Sequence, residues 1–193
     1  WAFLDNPVTC DACDPHQVVE CTGPATSVPL DGSNSFPAEG NQLQFRWSST
    51  DPSVAFDDAR AEQPMALLPG PGTYPITLDV GIGPFTQACA TEVEVVDTTP
   101  PMFRALSVDP ATLWPPNHRM ADVHVDADVE DTCSPSPTLT LVSVTSSEPD
   151  DVTGLGDGST MDDIQGVDLG RDDRDLRLRA ERDGNGAGRV YTL

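Results

Sequence analysis

Short runs in which apolar and polar residues alternate recur along the chain, and turn-forming residues separate them. Apolar side chains take every second position in residues 43–47, in residues 74–80 and, most regularly, in residues 123–129. A period of two places these side chains on one face of a β-strand, so each run predicts a strand with one face in a core. About seven such runs between Gln17 and Asp97 predict an antiparallel β-sandwich.

The proline pair Pro100-Pro101 is the clearest boundary, because proline cannot donate to a strand ladder and stiffens a short link. Further strand-like runs follow it, among them residues 139–144 and 176–180. We predict two tandem Ig-like sandwiches, over residues 16–98 and 99–193, after an N-terminal extension over residues 1–15. The second contains an acidic loop, residues 148–175, that is too long for a simple connection.

Charge excludes several classes of function. The 193 residues include 32 Asp and Glu against 10 basic residues, all of them arginine, for a formal net charge of -22. Without lysine there can be no Schiff-base lysine, P-loop lysine or Ser-x-x-Lys centre. Nucleic-acid binding needs a basic face, so we expect no nucleic-acid partner. No run approaches the ~20 apolar residues of a membrane span.

Catalytic motifs are also missing from the sequence. Neither Gly-x-Ser-x-Gly nor His-Glu-x-x-His occurs, which argues against a serine hydrolase and a zinc protease. A glycosidase uses two carboxylates in a sugar-lined cleft, but among 32 acids such a pair arises by chance. We therefore expect a protein that is not an enzyme.

Five cysteines indicate an oxidising compartment, and hence an extracellular or cell-surface protein. The three histidines are too scattered to complete a zinc site with them. Cys10 and Cys13 form a Cys-x-x-Cys pair, but no βαβ pattern surrounds it. A structural disulfide or a crosslink is therefore favoured over thioredoxin-like chemistry.

Motifs in the first sandwich carry a resemblance to a known family. They are Leu30-Asp31-Gly32-Ser33, Phe45-Arg46-Trp47-Ser48 and the run from Leu68 to Val80 that contains Pro-Gly-Pro-Gly-Thr-Tyr. Together they resemble the polycystic-kidney-disease-type (PKD) Ig-like domain of bacterial surface and secreted proteins, over most of residues 16–97. In Ig-like folds the first and last strands adjoin, so the resemblance implies a disulfide between Cys21 and Cys89.

Residues 113–120 (LWPPNHRM), 131–137, 143–149, 156–158 and 178–182 carry a second resemblance. They are similar to a bacterial Ig-like repeat often found beside PKD and hyalin-type (HYR) domains in large secreted proteins. Members of that family continue past the Arg-Val-Tyr-Thr segment with another strand, whereas this sequence ends at Leu193. The resemblance implies a second sandwich that lacks its last strand and so exposes an edge and an apolar groove.

The acidic loop offers candidate oxygen ligands for calcium, which takes six to eight of them. The candidates are Asp150, Asp151, Asp157, Asp162, Asp163, Asp172 and Asp173. A loop this acidic would repel itself without counter-ions, which favours calcium, although no EF-hand motif is present. Pairing with the arginines between residues 171 and 179 is the alternative explanation.

The N-terminal extension predicts a strand that has no evident place in the first sandwich. Its apolar residues are Trp1, Phe3, Leu4 and Val8. Since one end of the chain has a spare strand and the other lacks one, strand addition between chains would join them head to tail. An inter-subunit disulfide from Cys10 or Cys13 to Cys133 would fit this arrangement. Alternatively, residues 1–14 are the tail of a preceding domain in a longer protein.

These observations predict an exported structural protein, a subunit of a fibre or surface assembly that self-associates by strand complementation between chains. The alternative is an accessory adhesion module of a larger secreted protein, which recognises a polysaccharide or a protein surface. Exposed aromatic side chains on one sandwich face would favour the alternative. An unfilled groove in the second sandwich would favour the assembly.

Overall fold

The computed structural model describes residues 8–12, 14–37, 42–151, 156 and 158–193, and these residues contain β-strands and no helix. The chain divides into two compact units. The first contains the residues up to Pro100 together with Thr132–Pro135, and the second contains Pro101–Asp131 and Ser136–Leu193. The protein is an all-β chain of two tandem Ig-like sandwiches, and Thr132–Pro135 belong to the first although they follow residues of the second.

Nine strands form the first unit within the described residues. They are β1 (Val8–Thr9), β2 (His16–Glu20), β3 (Thr26–Pro29), β4 (Phe36–Pro37), β5 (Gln44–Ser49), β6 (Ala55–Phe56), β7 (Met65–Leu68), β8 (Gly72–Ile82) and β9 (Phe85–Val96). One sheet has the order β2-β9-β8-β5 and another the order β3-β7-β6, while β1 pairs with β4. All pairs are antiparallel except β2 with β9, which is parallel.

The core of the first unit is built from the inward positions of the alternating runs. Trp47, Ile76 and Leu78 are buried, as the period of two predicted. The indole N–H of Trp47 donates to the carbonyl of Ala61 at 3.0 Å, so its one polar atom is satisfied inside the core. Trp47 is therefore a core residue, as predicted.

Six strands form the second unit within the described residues. They are β10 (Met102–Asp109), β11 (Met120–Glu130), β12 (Thr145–Ser146), β13 (Ile164–Gln165), β14 (Asp175–Arg179) and β15 (Tyr191–Thr192). One sheet has the order β10-β11-β14-β13, and β12 pairs with β15. The buried apolar cluster here contains only Val123, Leu176 and Leu178, so this core is smaller than that of the first unit.

The cysteine pairing corrects the prediction that Cys21 bonds to Cys89. The structure contains Cys10–Cys89 and Cys21–Cys133. The first and last strands do adjoin, but β2 runs parallel to β9 with Glu20 opposite Val96. Cys21 therefore lies at the end of β9, about 23 Å of strand away from Cys89. An antiparallel pair would have been needed to bring these two cysteines together.

The same two bonds correct the predicted inter-subunit disulfide. Cys10 and Cys133 are both bonded within the chain and within the first unit, so neither is available to a neighbouring chain. Cys13, the fifth cysteine, lies outside the described residues.

Val8 is also placed differently from the prediction of a free donor strand. It is 2% exposed, belongs to the core of the first unit, and lies in β1 opposite Pro37 of β4. Because Cys10, which directly follows β1, is bonded to Cys89, this segment is part of the first sandwich. Trp1, Phe3 and Leu4, the rest of the predicted donor strand, lie outside the described residues.

Candidate functional site: an apolar groove in the second unit

An apolar groove runs along one face of the second unit. On one side it is bounded by β10 and β11, and on the other by residues 139–143 and the segment that contains β15. Its cavity measures about 520 Å³. The apolar side chains that line it are Phe103, Leu106, Val108, Val125, Ala127, Leu139, Leu141, Val142, Tyr191 and Leu193.

A second cavity extends the groove toward the end of β10. It measures about 580 Å³ and shares Leu106, Val108, Tyr191 and Leu193 with the first. Leu113 and Leu178 contribute further apolar wall. The groove therefore follows most of the length of β10 rather than forming a closed pocket.

A β-bulge explains why three side chains of β10 line the same groove. Phe103 pairs with Val129 and Ala105 pairs with Asp128, so the residue between them is an extra one on β10. Because of this extra residue the alternation along β10 shifts by one position, so Leu106 and Val108 lie on the same face as Phe103. Phe103, Leu106 and Val108 then lie opposite Val129, Ala127 and Val125, the inward positions of β11.

The walls of the groove are unusually exposed for apolar side chains. Phe103 is 54% exposed, Leu106 is 61% exposed and Val142 is 79% exposed. Contiguous apolar surface of this kind on a folded protein marks an interaction site or an aggregation hazard.

One sheet edge along the groove has no strand partner within the part of the chain that the structure describes. β10 is the edge strand of its sheet, so one of its two edges has no strand neighbour among the described residues. Residues 139–144, the predicted strand, form no ladder, although Leu141 exchanges two backbone hydrogen bonds with the loop at Gly170 and Arg171. A free edge with an apolar floor is the geometry that accepts an added β-strand.

A buried ionic cluster lies behind the wall that contains β15. Arg189, whose side chain is 1% exposed, forms ion pairs with Asp163 and with Glu148 and donates to the carbonyl of Pro149 at 3.0 Å. Asp163 also accepts a hydrogen bond from Arg179 at 2.9 Å. Since Arg189 lies two residues before Tyr191, the first residue of β15, these contacts fix the position of that wall.

Glu181 is the most constrained acid of the cluster. Its side chain is fully buried, and it accepts a hydrogen bond from Thr160 and lies 3.4 Å from His118. Its Oε1 atom makes no hydrogen bond but lies 3.4 Å from Arg189. Burial raises the pKa of Glu181 above its ordinary value, and the nearby Asp163 carboxylate adds to that rise.

Two of the predicted calcium ligands, Asp150 and Asp163, make contacts in or beside this cluster. Asp150 accepts the backbone N–H groups of Asp162 and Asp163 at 3.0 and 2.9 Å, and these bonds lower the pKa of Asp150. Asp163 is buried against Arg179 and Arg189. The carboxylate of Asp150 thus binds backbone N–H groups, and that of Asp163 forms ion pairs with arginines.

Two other calcium candidates, Asp172 and Asp173, line the groove. A hydrogen bond from Arg174 lowers the pKa of Asp172, and Asp173 accepts the backbone N–H of Asp168. Asp151 is exposed, and Asp157 lies outside the described residues. Within the residues that the structure describes, no three His, Cys, Asp or Glu side chains are placed to hold a metal ion. Calcium binding stays a prediction.

Sequence reasoning missed the ionic cluster. Its members come from residues 118, 148, 160, 163, 179, 181 and 189, which no local motif connects. The available signal was the concentration of both signs of charge in the second domain, with 18 acids and 8 arginines from Thr99 onward.

Among the described residues there is no helix of the length and apolarity that a membrane span requires. No protein-family model matches the chain, and no curated protein matches it.

Solved structures of Ig-like modules are similar to parts or all of the chain. The PKD domain from the KIAA 1837 protein is 23% identical, with a TM-score of 0.39, over 47% of this chain and 89% of that one. The titin domains Z1Z2 in complex with telethonin are 15% identical, with a TM-score of 0.39, over 96% and 92%. A nucleoside hydrolase-related protein from Saccharophagus degradans is 16% identical, with a TM-score of 0.39, over 47% of this chain and a quarter (25%) of its own length.

Proposed function

We propose that the protein is a structural subunit of an extracellular assembly and that its second sandwich accepts a β-strand from another copy of the chain. The observation that carries the proposal is the apolar groove beside the free edge of β10. Main-chain hydrogen bonds to β10 would provide affinity, and the apolar floor would select alternate side chains of the added strand.

Two intrachain disulfides support the extracellular location. Cys10–Cys89 and Cys21–Cys133 close loops across 79 and 112 residues, and such bonds persist in oxidising compartments. An Ig-like sandwich with disulfides is also typical of structural and adhesive modules outside the cell.

The groove favours an occupant that is apolar and uncharged. Aliphatic and aromatic side chains form most of its lining, and Asp172, Asp173 and Arg174 add two negative charges and one positive charge. These two carboxylates and the net charge of -22 repel acidic segments. Trp1-Ala2-Phe3-Leu4 is such a segment, with no charged side chain. We therefore propose these four residues of a second copy as the donor.

The lengths are compatible with this donor. The eight residues of β10 extend over about 26 Å, and four residues of an added strand need about 13 Å. The donor segment is separated by Asp5-Asn6-Pro7 from Val8, which is held in the first sandwich. These three residues can span about 10 Å from that anchor.

The contact would be heterologous, because the donor precedes the first unit and the acceptor is in the second. A heterologous contact repeats along a filament unless the rotation between subunits closes a ring. Strand addition from one copy to the next would thus produce a linear assembly.

Light scattering after gel filtration tests the proposal with two groove variants, Leu106→Glu and Val142→Glu. Each places a carboxylate in the apolar groove, so we expect assemblies of the wild type and monomers of both variants. Leu169→Glu is the matched control, since Leu169 is 54% exposed and does not line the groove. Equal assembly of all four proteins, or a monomeric wild type, would refute strand addition.

A further inference from the structure

The first unit contains a cavity lined by both of its arginines. Up to Thr98 the sequence has 14 acidic residues and only two arginines, Arg46 and Arg60. Both side chains line one cavity of about 760 Å³. In a unit with seven times as many acids as bases, this places all of the arginine charge at one place on the surface.

These two guanidinium groups differ from the arginines of the second unit. Neither makes an ion pair or a side-chain hydrogen bond with any residue that the structure describes. In the second unit, six of the eight arginines form ion pairs with described acids: Arg104, Arg171, Arg174, Arg177, Arg179 and Arg189. The cavity therefore holds two guanidinium groups that form no ion pair with described residues, together with one carboxylate, that of Asp79.

Backbone contacts fix where the two arginines lie. Arg46 is on the outward face of β5, in register with Asp79 of β8. The loop that carries Arg60 is held against the free edge of β5, because the backbone N–H of Trp47 donates to the carbonyl of Ala59 at 2.8 Å. The indole hydrogen bond from Trp47 to Ala61 holds the other side of Arg60.

The remaining lining residues define the chemistry of a ligand. Two guanidinium groups bind a carboxylate with paired, charge-assisted hydrogen bonds. Asp79 and Thr86 offer acceptor and donor groups for hydroxyls, and Phe45 offers an apolar surface. Gly81 and Gly83 line the cavity without side chains. A ligand that combines one carboxylate, several hydroxyls and an apolar face of C–H groups matches this set.

Overall charge limits how many carboxylates the ligand can carry. A dense polyanion would be repelled by the net charge of -22, over distances of about 8 Å at physiological ionic strength. A single carboxylate in the cavity instead meets two guanidinium groups against the one carboxylate of Asp79, so the local charge is net positive. We infer that this cavity binds a single carboxylate-bearing sugar residue of the uronic acid type, either free or at the end of a neutral glycan.

Isothermal titration calorimetry of the whole chain with glucuronate, galacturonate and glucose tests the inference. We expect the uronates to bind with a Kd of about 1 mM, a typical affinity for a ligand of this size, and at least tenfold more tightly than glucose. A neutral oligosaccharide that ends in a uronate should bind as tightly as the free acid or more tightly, which distinguishes the two sources of the ligand.

Variants assign the binding to the cavity. Arg46→Gln and Arg60→Gln should each weaken uronate binding at least tenfold, and their circular dichroism should remain that of the wild type, since both side chains are exposed. Arg182→Gln is the matched control, because Arg182 is exposed and lies in the second unit. Leu106→Glu, the groove variant, should bind uronate like the wild type, so this test is independent of strand addition.

Three results would overturn the inference. The first is equal binding of glucose and the uronates. The second is wild-type affinity in both Arg46→Gln and Arg60→Gln. The third is tighter binding of a glutamate-rich peptide than of the uronates with the same dependence on Arg46 and Arg60, which would assign the cavity to an acidic protein segment.

Discussion

At the scale of single residues, the stability of the second unit depends on a few buried charged side chains, because its apolar core is small. Among the described residues, three apolar side chains form its buried cluster, whereas the charged side chains of Asp163, Glu181 and Arg189 are almost completely buried. Removing one partner of a buried ion pair leaves an uncompensated charge, which is far more costly than the loss of an exposed pair.

Arg189→Ala should therefore destabilise the protein strongly. It would leave Glu148 without its ion-pair partner and Asp163 with Arg179 alone, and we expect a loss of about 3–5 kcal/mol in the free energy of unfolding, measured with urea. Arg171→Ala is the control, because Arg171 forms an exposed pair with Asp168 and its removal should change little. Similar losses in the two variants would contradict the role assigned to the cluster.

The pH dependence of stability should carry the signature of Glu181. Burial raises its pKa above the ordinary value of 4.5, so between 4.5 and the raised pKa the folded protein holds a proton that the unfolded chain releases. The free energy of unfolding should then fall as pH rises through this window. Glu181→Gln should abolish that fall, and a parallel pH profile in wild type and variant would refute the assignment.

Asp150 supplies a contrast within the same cluster. The N–H groups of Asp163 and Asp162 lower its pKa below 3.8, so its stabilising contribution is present above that pH. This contribution is lost as pH falls through the lowered pKa. Asp150→Asn should therefore flatten the acid limb of the profile, whereas Glu181→Gln acts on the limb above pH 4.5.

At the scale of strands, local patterns predicted the elements better than their pairing. Alternation predicted β5, β8 and β11, because the period of two depends only on which face meets the core. It could not predict that β2 lies parallel to β9, since the direction of a neighbour leaves no mark on the pattern. Cys21 was consequently assigned to the wrong partner. Residues 139–144 are mostly apolar, as in a strand, yet they form no strand and pair with no strand among the described residues.

Part of the groove could be predicted and part could not. The resemblance to longer Ig-like repeats implied an open second sandwich, and the structure has an apolar groove beside the edge strand β10. The bulge after Phe103 and the ionic cluster behind β15 arise from contacts between residues far apart in the sequence. No periodicity reports such contacts, so only the three-dimensional structure reveals them.

The two disulfides should contribute separately to stability, since they close different loops. We expect the double variants Cys10→Ala/Cys89→Ala and Cys21→Ala/Cys133→Ala each to lose about 2–5 kcal/mol in the free energy of unfolding. The reason is that a disulfide which closes a long loop lowers the entropy of the unfolded chain. A non-reducing digest read by mass spectrometry would establish the pairing directly. A peptide that links Cys21 to Cys89 would contradict the structure.

At the scale of the whole molecule, calcium and arginine are alternative partners for the acids of the second unit. Bound calcium should raise the melting temperature by several degrees, because a ligand that binds only the folded state stabilises it by mass action. The melting temperature is measured in calcium and again with a chelator at the same ionic strength. An unchanged value would remove calcium, and the arginine pairs alone would then balance the loop.

A mixing experiment tests the groove and the donor segment at once. A chain without Trp1–Leu4 keeps its groove but has no donor, and Leu106→Glu keeps the donor but has a disabled groove. Each protein alone should be a monomer by light scattering, and an equimolar mixture should form a complex of twice the monomer mass. The absence of a complex in the mixture, or continued self-assembly of either protein alone, would contradict strand addition between copies.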